Sequence, residues 1–353
     1  MNKCERYRSI LIGTAVGDSL GLPAEGMSAS KIKALGWNNN WKQRLIFGYG
    51  MLSDDTEHTI LVSEGLAAHP DSIEKFRRSL ARKFRWWLLA LPAGVGFATA
   101  RSIVKLCVGF TPSQSGVFSA GNGPAMRSAI IGAYFDDAPD KVESYVRAST
   151  EITHTDPKAL VGALAIAYCA ATPNNSEECW IRLKSLAVHE ATEWPKILDK
   201  LEHALRQDWE LNTFVAELGV KNGITGYTYH TVPSVLFTWF KHHQNPKSFE
   251  YSMAEILNAG GDTDTTGAIL GALLGAKEGT SSIPKRWKSK IHDWPNNRTR
   301  LESLAQHLSG NKKYKPAFWP FHLFRNIFFL LVVLAHSFLR LVPSKLRKEE
   351  NKH

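Results

Sequence analysis

Cysteine is scarce in this chain: Cys4, Cys107, Cys169 and Cys179 are the only four among 353 residues. None forms a C-x-x-C pair, so there is no zinc ribbon and no disulfide framework to build on. Thiols this few and scattered read as small apolar residues of a reducing, cytoplasmic compartment. An export signal is also missing. Lys3, Arg6 and Arg8 precede the apolar stretch from Ile10 to Val16, but Asp18 interrupts it and no small-residue cleavage site follows. This stretch is expected to be a helix of the mature protein. No Pro/Ser-rich or low-complexity linker divides residues 1–308, and no convincing period-two alternation marks a strand. Charge excess is absent from the body as well. The net charge is +10, but nine Lys/Arg and two Glu follow Gly310, leaving 34 basic and 31 acidic residues before it. A near-neutral body argues against a nucleic-acid partner, and none is expected. A basic tail beside an apolar segment points instead to a membrane surface.

What the chain does have is helical periodicity. Ala159 to Ala171 is a continuous run of apolar helix formers, and Ser63–Ala68, Phe76–Leu89 and Leu201–Glu217 read as amphipathic or buried helices. The expected fold class is all-α: one compact helical domain over 1–308, with an apolar, basic appendage over 309–353. Small residues recur at helical spacing, with Gly13, Gly17 and Gly21 in one set and Gly267, Gly271 and Gly275 in another. A glycine inside a helix costs about 1 kcal/mol, so its repetition implies close approach of two helix backbones.

Acidic residues stand beside these stripes. Gly17-Asp18-Ser19-Leu20-Gly21 runs on to Glu25. Ser53-Asp54-Asp55-Thr56 is a second group, and Gly260-Gly261-Asp262-Thr263-Asp264-Thr265-Thr266 is a third. Helix capping explains one such segment well, but it explains adjacent Asp54 and Asp55 together with the Asp-Thr-Asp-Thr run poorly. Clustered carboxylates repel unless a cation neutralises them. An all-oxygen set of Asp, Glu and hydroxyls suits magnesium, manganese or calcium, not zinc. The spacing alone leaves capping and metal binding both open. The middle of the chain adds Ser119-Ala120-Gly121-Asn122-Gly123, either a turn before a helix around Met126 or a loop presenting N–H groups to phosphate.

Five ordered segments, GTAVGDSLGLPAE, SDDTEHTI, SAGNGPAMRSAIIG, THTDPKAL and NAGGDTDTTGAILGALLGA, resemble the ADP-ribosylglycohydrolase family, which includes the dinitrogenase-reductase-activating glycohydrolases. The resemblance spans Gly13 to about Ala276 and implies an all-α hydrolase with two magnesium ions, or manganese. It implies that Ser53, Asp54, Asp55, Asp262, Asp264 and Thr265 are metal ligands, with Glu25 contacting or gating the metal centre. Many relatives have Thr where this chain has Ser53, and both supply a hydroxyl oxygen. Ser119, Gly121, Asn122 and His154 match residues lining the ADP-ribose cleft. Arg127 reads either as a phosphate partner or as one half of a buried ion pair.

The implied reaction cleaves the ribose C1 bond of an ADP-ribosylated protein or of a small ADP-ribose conjugate, through an oxocarbenium-like transition state. Either Asp55 or Glu25 would take the proton of the attacking water. Two other readings stay open: a non-catalytic ADP-ribose-binding or structural member, and a magnesium-dependent hydrolase of another nucleotide. A dead member is expected to lose some of these acids, and this chain keeps them all. Beyond the motifs, Phe318–Leu341 is apolar and aromatic, but its unbroken run is only Ile327–Ala335. A span needs about 20 apolar residues, so contact with a membrane surface through 318–348 is expected ahead of packing on the domain.

Overall fold

The computed structural model describes residues 1–186 and 193–341. The described residues form eighteen helices: α1 (Lys3–Gly21), α2 (Ala29–Ala34), α3 (Asp54–Ala68), α4 (Ile73–Leu89), α5 (Phe97–Cys107), α6 (Gly123–Met126), α7 (Ala129–Tyr134), α8 (Pro139–Glu151), α9 (Pro157–Ala171), α10 (Ser176–Ser185), α11 (Trp194–Arg206), α12 (Leu211–Glu217), α13 (Thr228–Gln244), α14 (Phe249–Asn258), α15 (Thr263–Glu278), α16 (Lys285–Lys288), α17 (Arg298–Leu308) and α18 (Trp319–Leu341). The only named strands among them, β1 (Met27–Ser28) and β2 (Gly260–Gly261), pair antiparallel as Met27↔Gly261 and Ser28↔Gly260. The all-α expectation holds.

The centre is the antiparallel pair α1 and α15. Both are buried on every face along most of their length, so neither has a polar stripe. The two glycine sets meet here. A Cβ on Gly13 would lie 2.1 Å from the Gly271 carbonyl oxygen, and one on Gly17 only 1.9 Å from that of Gly267. One on Gly275 would lie 2.3 Å from the Ser9 carbonyl oxygen. Nothing larger than hydrogen fits between the backbones. The pairing sets the C-terminal end of α1 beside the N-terminal end of α15, where β1 and β2 lock the register.

Ser63–Ala68 is a largely buried helix, as expected, but it is the end of the longer α3, which begins at Asp54. One expectation needs correction. Leu201–Glu217 is two helices, because the chain turns after Arg206, with Asp208 at φ +48° and the Trp209 N–H returning to the Ala204 carbonyl.

The C-terminal segment docks on the body through polar contacts. Tyr314 donates to Glu64 at 3.0 Å and the Trp319 indole to the Trp86 carbonyl at 2.7 Å. Arg325 is buried, donating to Asp293 at 2.9 Å, to Glu57 at 3.2 Å and to the Leu52 carbonyl. Asn326 donates to the Ala90 carbonyl at 2.8 Å. Packing on the domain, the alternative weighed against membrane contact, is thus realised by one face of α18. Among the described residues no helix is long and apolar enough to cross a membrane. Residues 342–348 of the expected membrane-contact stretch lie outside the described residues.

The seam makes a direct prediction. Gly271→Ala puts a methyl 2.2 Å from the Gly13 carbonyl oxygen, and such overpacking should cost about 1–3 kcal/mol or more of unfolding free energy. Gly96→Ala, whose Cβ would meet nothing nearer than the Thr99 hydroxyl at 3.9 Å, should stay within about 0.5 kcal/mol of wild type. Urea denaturation of both variants measures this, and equal midpoints would remove the seam from the account.

Candidate active site

The ends of α1, α3 and α15 meet at one place. Ser53 caps α3, its hydroxyl accepting the Asp55 N–H at 3.3 Å and donating to Asp55 Oδ2 at 2.9 Å. Asp18, buried in α1, holds the same turn from the other side. Its carboxylate accepts the Ser53 N–H at 3.0 Å and the N–H and hydroxyl of Thr56. The α3 N-terminus is therefore capped twice, once from within and once across the seam. Asp262 stands at the N-cap of α15, with Asp264 and Thr265 in the first turn. Thr265 donates to Asp55 Oδ2 at 3.2 Å, tying the second acidic group to the third.

Short backbone bridges add the loops. Gly26 donates to the Gly261 carbonyl, Asp262 to that of Ile224 and Asn122 to that of Gly226. Gly261, at φ +85°, would set a Cβ 2.0 Å from the Ile224 carbonyl oxygen, so only glycine serves there. Val117 pairs with His154, and Gly121 with Tyr227. Around these segments lies a cleft of about 990 Å³ lined by Glu25, Asp54, Asp262, Asp264 and Thr265 on one side and by Ser119, Gly121, Asn122 and His154 on the other. That volume is at the upper end for a small-molecule pocket, which runs from about 300 to 1,000 Å³. The structure thus gathers every site residue expected from the sequence except Ser53 and Asp55 on the cleft wall itself. Ser53 borders an adjoining cavity of about 110 Å³, and Asp55 lies buried behind both.

Electrostatics single out the acids. Burial, and then neighbouring carboxylates, push Asp54, Asp55 and Asp264 well above the usual carboxylate range. Asp18 is raised to about 7 by burial, against the opposing hydrogen bonds from Thr56 and Ser53. Asp55 Oδ1 and Asp264 Oδ1 are buried with no hydrogen-bond partner. Unsatisfied buried carboxylate oxygens are costly, and acids arranged this way fit an oxygen-seeking divalent cation. Among the described residues no three His, Cys, Asp or Glu side chains form a ready-made ion cage. The Ser53 and Thr265 hydroxyls would therefore have to join the carboxylates as ligands.

The far wall is built from neutral groups. Asn122 donates from its amide to Asp262 at 2.6 Å and to Thr231 at 2.9 Å, so its side chain braces an acid of the cluster. His154 is buried against Gly121, hydrogen-bonded to Thr153 at 2.9 Å, and pushed down to about 3 by burial and then by Arg127, which keeps it uncharged. Arg127 is neither a phosphate partner nor part of an ion pair. It is fully buried, donates to Ser149, Thr153 and the Gly123 carbonyl, and stacks on Phe84.

Several residues of the site escaped the sequence reading. Asp18, read there only as one acid of the first motif, lies behind the cleft lining as a brace for the Ser53 turn. Lys221, Asn222 and the glycines at 219, 223 and 226 form the cleft's third side, and Arg101, Phe97 and Phe118 line its rim. The glycine-rich run from Gly219 to Gly226 around a lysine was the available signal.

Comparison with known proteins follows the same lines. The ADP-ribosylglycohydrolase family profile matches residues 1–316. A protein of Archaeoglobus fulgidus with no assigned function is 32% identical over 86% of this chain and 96% of its own length. The ADP-ribosyl-[dinitrogen reductase] glycohydrolase of Rhodospirillum rubrum is 28% identical over 81% of the chain and 90% of its own length. The ADP-ribosylhydrolase ARH3 of Xenopus tropicalis is 28% identical, over 85% and 95%. A solved structure titled as an ADP-ribosylglycohydrolase-related protein complex superposes with a TM-score of 0.59 at 24% identity. It covers 88% of this chain and 99% of that one, and supports the fold.

The acid cluster sets the pH response of the metal-free protein. A carboxyl whose folded pKa is raised binds more protons in the native than in the unfolded state, so stability falls as pH rises from the ordinary carboxylate range through the raised value. Asp264→Asn removes one such charge. In chelator it should melt higher than wild type at pH 8, with the difference shrinking toward pH 4. A lower melting temperature at every pH would make Asp264 a structural cap instead.

Proposed function

The chain belongs to the ADP-ribosylglycohydrolase family, hydrolases of glycosyl bonds, and from that premise we propose that it cleaves the ribose C1 bond of ADP-ribosylated protein or of a small ADP-ribose conjugate at a dinuclear magnesium centre. The observation that carries this is the pair of unpartnered, buried carboxylate oxygens on Asp55 and Asp264 beside a cleft large enough for a dinucleotide-sized ligand. Ser53, Asp54, Asp55, Asp262, Asp264 and Thr265 would hold two magnesium ions, or manganese, whose charge would fix the ribose hydroxyls and polarise a water.

The protein's own groups do the rest. Asp55 is fully buried and off the cleft wall, whereas Glu25 lines the cleft and is exposed. Glu25 is therefore the better placed of the two to take the proton as a water oxygen bonds to C1 and the bond from C1 to the leaving group breaks. Arg101 and Lys221 are the cations that line the cleft, where they would meet the diphosphate, and Phe97 and Phe118 offer exposed ring faces to the adenine. Neutral His154 and the amide-bearing Asn122 loop shape the ribose side without adding charge. A reducing, cytoplasmic compartment fits four free cysteines.

Incubation with magnesium and a panel of arginine-, serine- and acetyl-linked ADP-ribose, read by chromatography of released ADP-ribose, tests this. Release should stop in chelator and return with magnesium. Undiminished release without metal would refute the metal centre, and binding of ADP-ribose with no release from any conjugate would favour the non-catalytic reading.

A further inference from the structure

Helix α18 is arranged in reverse of a surface helix. Its polar residues Arg325 and Asn326 point inward and are 5% and 1% exposed, while Phe321, Phe324, Phe328, Leu331 and Leu334 point outward, each at least 42% exposed. The outward positions recur every three or four residues, so they form one apolar stripe along the helix. The inner face is already spent on the domain through Asp293, Glu57 and the Leu52 and Ala90 carbonyls. The stripe therefore has no remaining place in the fold among the described residues, and a contiguous exposed apolar patch of this kind marks an interaction face.

The patch extends past the helix. Phe324 and Phe328 border a groove with Ile46, Tyr49 and Trp294. Beside it the chain makes a tight turn, with the Tyr49 N–H returning to the Ile46 carbonyl at 2.7 Å. At its tip Phe47 adopts φ +45°, a conformation a bulky side chain rarely takes, and leaves its ring 97% exposed. Lys42, Arg44, Arg286 and Lys290 line one depression with Phe47, and the Lys290 ammonium lies 4.4 Å from the Tyr49 ring centroid. Aromatic rings ringed by cations are the pattern of a protein surface seated at the headgroup level of a bilayer.

We propose that the α18 stripe and the Phe47 turn form one face that lies on an anionic phospholipid surface, in the plane of the membrane and without crossing it. The charge pattern selects lipid over a second copy of the chain: Lys42, Arg44 and Lys290 flank Phe47 beside Arg286, whose charge is met by Glu250, and among the described residues no acid lines that depression to receive the other three from a symmetry mate. Past the helix the sequence adds Lys345, Arg347 and Lys348, of the same sign. Docking in this pose brings the membrane beside the candidate active site. Phe329 and Val333 of α18 wall the small cavity shared by Glu25, Ser53, Asp54 and Asp264. Lipid binding itself does not depend on the reaction assigned above.

The test is flotation of the full-length protein with vesicles of phosphatidylcholine alone or with about one-third phosphatidylserine, at low and high salt. The protein should float with the anionic vesicles, at least tenfold more than with neutral ones, and high salt should release much of it. The triple variant Phe324→Ser/Phe328→Ser/Leu331→Ser should lose binding tenfold or more while keeping its melting transition. Phe47→Ser, at an exposed turn tip, should lose several-fold and serves if the triple variant fails to fold. Wild-type protein that stays at the bottom with both vesicle types overturns the proposal. So does a stable dimer in light scattering that the triple variant converts to monomer, which would make the stripe a self-association face.

Discussion

Two helix backbones in direct contact organise this molecule. Where Gly13, Gly17 and Gly21 face Gly271, Gly267 and Thr263, carbonyl oxygens occupy the space a Cβ would need. Such contact forgoes side-chain packing and spends glycine's conformational freedom, at up to about 1 kcal/mol per position. In return it fixes the axial register of α1 against α15, and register is what the site requires. Asp18 lies on α1 and Glu25 just past its end, Asp262 and Asp264 lie at the start of α15, and a slip by one turn would move the two acidic groups about 5.4 Å apart. The third group, Ser53 to Asp55, is then drawn in by Asp18, which accepts hydrogen bonds from the turn that begins α3.

Among the described residues no Lys or Arg forms an ion pair with the aspartates facing the cleft. Arg127 lies within the core behind the cleft, lowered to about 9 by burial and bonded to neutral partners, while His58 and His154 are held uncharged. Arg325 is, among the described residues, the one buried arginine paired with carboxylates, and its partners Glu57 and Asp293 stand behind the Ser53 turn rather than inside the cleft. The acids facing the cleft are left to repel one another, a strained arrangement that a divalent cation would relieve and that paired Lys or Arg side chains would have cancelled.

The all-α class, the close helix pair and the grouping of the acids were legible because each leaves a local mark: glycine every four residues, carboxylates beside hydroxyls, apolar runs without alternation. What stayed hidden depends on long-range placement. Asp18 reads as one more acid until Ser53 and Thr56 are seen to bond to it. Asn122 reads as a loop amide until Asp262 is found 2.6 Å away. The break after Arg206 follows a left-handed Asp208 that no proline or glycine announces. The segment after Gly310 showed its apolar character openly, but only the fold reveals that its arginine is buried and its phenylalanines are not.

The central claim is that these three acidic groups hold divalent metal ions next to bound ADP-ribose. Crystals soaked with manganese and ADP-ribose, measured at the manganese absorption edge, address it directly. The account predicts anomalous peaks among Asp54, Asp55, Asp262, Asp264 and the Ser53 and Thr265 hydroxyls, at ligand distances of about 2.0–2.3 Å, with the ribose against them. Bound ADP-ribose with no anomalous peak among these residues, or a peak held elsewhere in the molecule, would contradict it.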